Sequence, residues 1–294
     1  MITYANAKNF KSLKDIKFNL NKTKTQTNKF IAIYGENGSG KTNIVELFKF
    51  LQQSAMSRVA DILINKIPIE ISKIQEEMVE QLPREIKQLS LLSMNYNEYR
   101  MLDEKEPTEI KYGFKIDDKD GFYYIKFTDE IIEEKLYFLA GKQNGYLFDI
   151  TKKGEEINKT LNKNIFLNEQ YNKKLMEIID MYWGKYSFIS LLFFEMIEKN
   201  KDYVFNNISK NIIKVIIQIM EMTVHVDKGT VRMISDSLVK ERKLTNIQRG
   251  YIKKEELDVL EKCENVLNIF FTQGYADVYS QAPASGRYRK GGPG

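Results

Sequence analysis

The residues best suited to chemistry are Gly35-Glu36-Asn37-Gly38-Ser39-Gly40-Lys41-Thr42, within "FIAIYGENGSGKTNIVELFKF". Their types and spacing follow GxxxxGK[ST], a pattern in which each position has a physical task. Gly35, Gly38 and Gly40 allow backbone conformations closed to residues with a Cβ, so that successive N–H groups converge on phosphate oxygens. Lys41 is placed to reach β- and γ-phosphates, and the Thr42 hydroxyl to hold Mg²⁺. An ordinary glycine turn is the alternative, but such a turn has no need of Lys41 or Thr42.

The motif requires a strand before it and a helix after it. "FIAIYG" is a short apolar run of the kind a buried central strand uses, and Ile44, Val45, Leu47, Phe48 and Leu51 follow at helical spacing. A helix beginning at the lysine adds its positive end to the same anion. Upstream, residues 2–20 alternate loosely between apolar and polar and predict two short strands joined at Asn9-Phe10-Lys11-Ser12, with "NKTKTQTNK" as a loop or hairpin.

Downstream the period changes twice. From Gln52 to Met101 the apolar residues Ile71, Ile74, Met78, Leu82, Ile86 and Leu89 recur every three or four positions, which predicts a helical insertion with a kink at Pro83. "TEIKYGFKIDDKDGFYYIKFTDEIIEEKLYFLAGKQNGYLFDITKKGEEI" then reads as an antiparallel meander punctuated by Asp-Gly, Asn-Gly and Lys-Gly. Helical spacing returns from Asn168 to Met222, and its Leu175, Ile178, Ile179, Trp183, Phe188, Leu191 and Leu192 read as core. Residues 239–272 also look helical, with a strand as a reading for their end.

The expected organisation is therefore a nucleotide-binding lobe of residues 1–51 plus 107–160, a helical insertion at 52–106, a helical subdomain at 161–279 and an atypical tail at 280–294. That tail holds two of the five prolines and four of the sixteen glycines within "APASGRYRKGGPG", so it reads as a terminal extension, a shifted frame or a natural flexible tail.

Composition bounds the rest. At 294 residues and 43% apolar, the chain can bury a sizeable core. Cys263 is the one cysteine, which fits a reduced, cytoplasmic setting better than an oxidising one. No apolar run reaches bilayer length, so no membrane partner is expected. His225 is the one histidine, which disfavours histidine-based zinc sites and a Ser-His-Asp triad and reads as a packed strand residue. The net charge of +5, from 45 basic and 40 acidic residues, permits nucleic-acid contact without demanding it, as do the basic clusters at 240–243 and 253–254.

"ANAKNFKSLKD" followed by "FIAIYGENGSGKTNIVELFKFL" resembles the amino-terminal lobe of the ABC-like ATPases related to SMC, RecF and OLD proteins, and within these the bacterial AAA/ATP-binding branch, several of whose members serve in anti-phage systems. The resemblance covers residues 2–51 closely and is architectural beyond them. It implies an α/β P-loop NTPase of the ABC-ATPase type, with an antiparallel β-meander and a helical insertion and subdomain. It also implies ATP and Mg²⁺ as cofactors, and places Asn9, Lys11 and Ser12 towards the base or phosphates, although an ordinary β-turn is the alternative for that tetrapeptide. The implied partners are a second copy in a homodimer or an effector protein, with double-stranded DNA as a further one.

Such ATPases complete their site with a signature loop, an apolar strand ending in Asp-Glu and a switch histidine. None of these is recognisable before Gly294, so the catalytic residues are unassigned and weak or absent hydrolysis by this chain alone is expected. Two further readings stand beside the ATPase lobe: a nucleotide-gated interaction module without turnover, and a small P-loop phosphotransferase, to which the insertion and meander are ill suited.

Overall fold

The computed structural model describes residues 1–21, 23, 33, 36, 39–66, 94–198, 201–220 and 222. Apart from Ile33, the strand expected over "FIAIYG" lies outside the described residues, as do the helical spacing between Ile71 and Leu89, His225, the segment 239–272 and the tail.

Alternation in the first twenty residues produces β1 (Ile2–Phe10) and β2 (Leu13–Asn19), an antiparallel pair. The meander follows as β3 (Thr108–Ile116), β4 (Lys119–Phe127), β5 (Ile131–Ala140), β6 (Gln143–Lys153) and β7 (Glu156–Leu161). These strands form one seven-stranded sheet in the order β2-β1-β3-β4-β5-β6-β7, in which every neighbouring pair is antiparallel.

The turns do not all fall where the glycine signals place them. The β3–β4 hairpin turns at Asp117-Asp118, both at positive φ (48° and 57°), as a two-residue type I′ connection requires. Asp120-Gly121 lies inside the β3–β4 ladder, where a Cβ on Gly121 would stand 2.4 Å from the Phe114 ring; that glycine makes room for an aromatic. Asn144-Gly145 likewise belongs to β6, and the chain turns earlier, at Gly141 (φ 76°). Of the three signals only Lys153-Gly154 marks a turn, with Gly154 at φ 61°.

Five helices complete the described fold: α1 (Lys41–Lys66), α2 (Glu169–Tyr182), α3 (Phe188–Glu198), α4 (Lys201–Asn207) and α5 (Lys210–Met220). None of the described helices is long and apolar enough to cross a membrane. The helix after the phosphate motif continues without a break through residues 51 and 52, because its apolar stripe extends over Leu47, Phe50, Leu51, Ala55, Met56, Val59 and Ala60, all buried. That stripe packs on one face of the sheet and on α3. Phe50 stacks on Phe127 of β4 at 5.0 Å and meets Phe10 of β1 edge-on at 6.0 Å, while the Tyr112 hydroxyl of β3 donates to the Leu47 carbonyl at 2.5 Å. Fully buried aromatic contacts of this kind set the height of α1 above the sheet.

Polar contacts fix its lateral position. Buried Ser54 and Ser57 of α1 face Ser187 and Ser190 at the start of α3. Ser187 Oγ donates to the Ser54 carbonyl at 2.9 Å and accepts from the Ser190 N–H at 3.1 Å, capping α3, while Ser190 Oγ accepts the Arg58 N–H at 2.9 Å. Further along, the amide of buried Gln52 donates to the carbonyls of Ile219 (3.3 Å), Met220 (3.4 Å) and Met222, satisfying acceptors that the end of α5 leaves open.

Glu134 is the polar centre of the interior. The carboxylate is fully buried on β5 and accepts from Tyr123 Oη (3.0 Å), Trp183 Nε1 (2.8 Å) and the N–H groups of Phe188 (2.7 Å) and Ile189 (3.3 Å) at the start of α3. Burial lifts its pKa to about 7, against the opposite pull of those four donors. A carboxyl whose folded pKa lies above its unfolded value binds its proton more tightly in the native state. Its contribution is therefore fully present below the unfolded pKa and is lost as pH rises through about 7. Urea unfolding between pH 5 and 7 should show this loss, by up to about 1.4 kcal/mol per pH unit, relative to a Glu134→Gln variant that has no proton to exchange. Equal slopes in the two proteins would refute the assignment.

Candidate functional site

The start of α1 has what an anion site needs locally. Gly40, the residue before the helix, sits at φ 82°, a left-handed conformation that glycine adopts without strain. The Ile44 N–H closes the first helical bond on the Gly40 carbonyl at 3.1 Å, and the Ser39 N–H turns back to the Glu36 carbonyl at 3.2 Å. No acidic side chain occupies the first turn of α1, so its positive end is not neutralised from within. The Lys41 ammonium folds back over the loop and donates to the Glu36 carbonyl and, at 3.4 Å, to Ser39 Oγ. Thr42 follows with an exposed side chain. Gly35, Asn37 and Gly38 lie outside the described residues.

The β1–β2 turn is built onto the same helix end. Ser12 Oγ accepts from Asn43 Nδ2 at 2.5 Å, and the space beyond the Gly40 Cα is bounded by Leu13 and by Ser12 Oγ. Lys11 forms an ion pair with Glu46, each side chain about a quarter exposed, and its ammonium stands 5.1 Å from the Tyr99 ring centroid. The structure thus brings Lys11 and Ser12 to the first two turns of α1. Asn9 is buried, and its amide instead donates to the Pro107 carbonyl at 3.4 Å.

Asn9 and Lys11 both adopt positive φ, 56° and 50°, which costs non-glycine residues energy unless the surroundings impose it. The segment before β3 imposes it here. The Lys11 N–H donates to the Tyr99 carbonyl (3.0 Å), and the Asn9 carbonyl accepts from the Met101 N–H (3.0 Å) and from Thr108 Oγ1 (2.7 Å). Tyr99 closes a short 3₁₀ turn (Tyr96–Tyr99), stacks on Phe10 at 5.7 Å and donates its hydroxyl to Gln53 of α1. Burial, reinforced by the negative charges of Glu46 and Glu98, holds the phenol protonated well above its usual range.

The contributions of Asn43, Glu46 and Tyr99 escape a motif search. Asn43 and Glu46 are three residues apart and so share a face of α1, the one positional hint available; Tyr99 lies in a segment with no motif.

Residues 30–170 match the family model described as AAA domain, putative AbiEii toxin, Type IV TA system. The match supports an AAA-type P-loop ATPase family. It spans the phosphate motif, α1 and the whole meander, and together with the sheet and helices it fits an α/β P-loop-like fold that binds nucleotide, generally with Mg²⁺. The β1–β2 turn precedes the matched segment, so its relation to α1 rests on the contacts above. Comparison with curated proteins finds no match.

The residues present fit Mg·ATP in kind: a left-handed glycine, an un-neutralised helix start, a lysine already folded over the loop, and a hydroxyl beside it. Thr42 would hold the metal ion, which supplies charge neutralisation to β- and γ-phosphate oxygens.

Proposed function

We propose that this chain is the ATP-binding lobe of an ABC-like ATPase of the SMC, RecF and OLD kind. The carrying observation is the start of α1, where Gly40 in the left-handed region and Lys41 folded over its own loop stand at the end of the GxxxxGKT motif. Lys41, Thr42 and the loop amides bind the triphosphate, and the β1–β2 turn borders it through Lys11 and Ser12.

ATP binding, and hydrolysis once the acidic strand end and signature residues are supplied, would be coupled to DNA transactions or to anti-phage defence. The resemblance of residues 2–51 supports that role, as does a family description that names a toxin of type IV toxin–antitoxin systems. The partners proposed are a second copy of the chain or an effector protein, and double-stranded DNA.

Titration calorimetry with nucleotides tests the site. Mg·ATP should bind about 100-fold more tightly than AMP, because AMP forgoes the charge-assisted contacts to β- and γ-phosphates, each worth about 1.5–3 kcal/mol. Equal affinities for the two would show that the loop is not reading phosphates.

A further inference from the structure

We infer that Glu46 is a positioning residue that competes with the nucleotide for Lys11. It holds the lysine ammonium against the second turn of α1 and yields it to phosphate oxygens presented at the first. The inference rests on the nucleotide-binding reading above and adds to it a residue that tunes affinity.

The backbone of Lys11 has little freedom to move. Its positive φ, its N–H bond to the Tyr99 carbonyl and the two bonds received by the Asn9 carbonyl hold the turn from the side of β3, while the Asn43–Ser12 bond holds it from the side of α1. The Tyr99 ring beneath the ammonium is held in its turn by Phe10, by Phe50 at 5.1 Å and by Gln53. What can move is the flexible four-carbon stem of Lys11. Asn43 and Glu46 approach the turn from one face of α1, and Gly40, where the phosphate motif enters the helix, is in reach of the same turn through Ser12.

The energetics favour exchange. Both side chains are a quarter exposed, although the Glu46 Oε2 that meets the ammonium is closed off from solvent, so the pair is only partly screened and ranks between a weak surface pair and a buried one. A polyphosphate offers several charge-assisted acceptors to the same ammonium. Moving the ammonium to phosphate gives up both of its restraints, the Glu46 pair and part or all of the Tyr99 cation–π contact.

A double-mutant cycle read by calorimetry tests the inference, with Mg·ATP and inorganic tripolyphosphate as probes and thermal melting to confirm that each variant is folded. Glu46→Gln should tighten both ligands by at least about two- to five-fold, the range for releasing an exposed pair being the lower bound for this half-buried one, and Glu46→Asp should fall between wild type and Glu46→Gln. In a Lys11→Met background the gain from Glu46→Gln should vanish. A gain that persists without Lys11 would show that Glu46 acts through its general field, and would overturn the inference. Weaker binding by Glu46→Gln would overturn it too, by showing that Glu46 organises the site rather than competing for its lysine. A gain for ATP but not for tripolyphosphate would mean that Lys11 does not reach phosphate. Should wild type and every variant ignore both ligands, the nucleotide-binding reading fails and the inference with it.

Discussion

Lys41→Ala is expected to weaken Mg·ATP binding by about 2–4 kcal/mol, roughly 30- to 1,000-fold in Kd. The lysine does two things that alanine cannot. Its ammonium donates to the Glu36 carbonyl and to Ser39 Oγ, drawing the loop around its own end, and it supplies a cation beside the start of α1. Removing it takes away both the organiser of the loop and a charge-assisted donor to phosphate. The side chain is only half-buried, so the fold should not change, and urea midpoints within the error of wild type are expected. Calorimetric titration of both proteins decides the matter. Equal affinities would remove the phosphate motif as the binding element, whereas a shifted urea midpoint would instead mean that Lys41 is structural.

Glu134→Ala should be the most damaging single change to stability, by several kcal/mol at neutral pH, since each buried donor left unsatisfied costs about 1–3 kcal/mol. Hydrogen-bond satisfaction is what the carboxylate supplies. Four buried donors from three parts of the chain converge on this carboxylate: a tyrosine of β4, the Trp183 indole after α2, and two N–H groups that open α3. Alanine leaves all four without their acceptor, and a water entering the void could accept from at most two of them. Glu134→Gln should cost less, because its amide oxygen still accepts while its NH₂ faces donors. Equilibrium unfolding in urea gives the ranking, and an alanine variant as stable as the glutamine one would show that the donors find other partners.

The Glu134 cluster also shows where sequence reasoning stops. On β5 the run "IIEEKLYF" places two adjacent glutamates in a strand, and alternation assigns them to opposite faces without saying that the buried one will have donors waiting. Those donors come from residues 11 to 55 positions away, and no periodicity links them. Lys11 and Glu46 are likewise 35 positions apart and meet only because β1 and α1 pack on the same sheet. Tyr99 and Met101, in a segment without any motif, help impose the strained turn, Tyr99 at Lys11 and Met101 at Asn9. The hairpin turns follow the same rule, since whether Asp-Gly is a turn or a strand pair depends on a phenylalanine seven positions earlier that needs the space.

What this sequence determined by itself was local in its physics. Left-handed glycine before a helix, a lysine and a threonine at fixed offsets, alternation in β1, β2 and the meander, and helical spacing after Asn168 are all conformational preferences of a few neighbouring residues, legible wherever they occur. Tertiary structure alone decided that Ser12 bonds Asn43 and Lys11 pairs with Glu46 while the Asn9 amide points to Pro107, and that Glu134 rather than a more conspicuous acid holds the interior together. The reason is the same in each case: burial and hydrogen-bond satisfaction are set by which distant groups the sheet order brings within a few ångströms, and no window of sequence contains both partners.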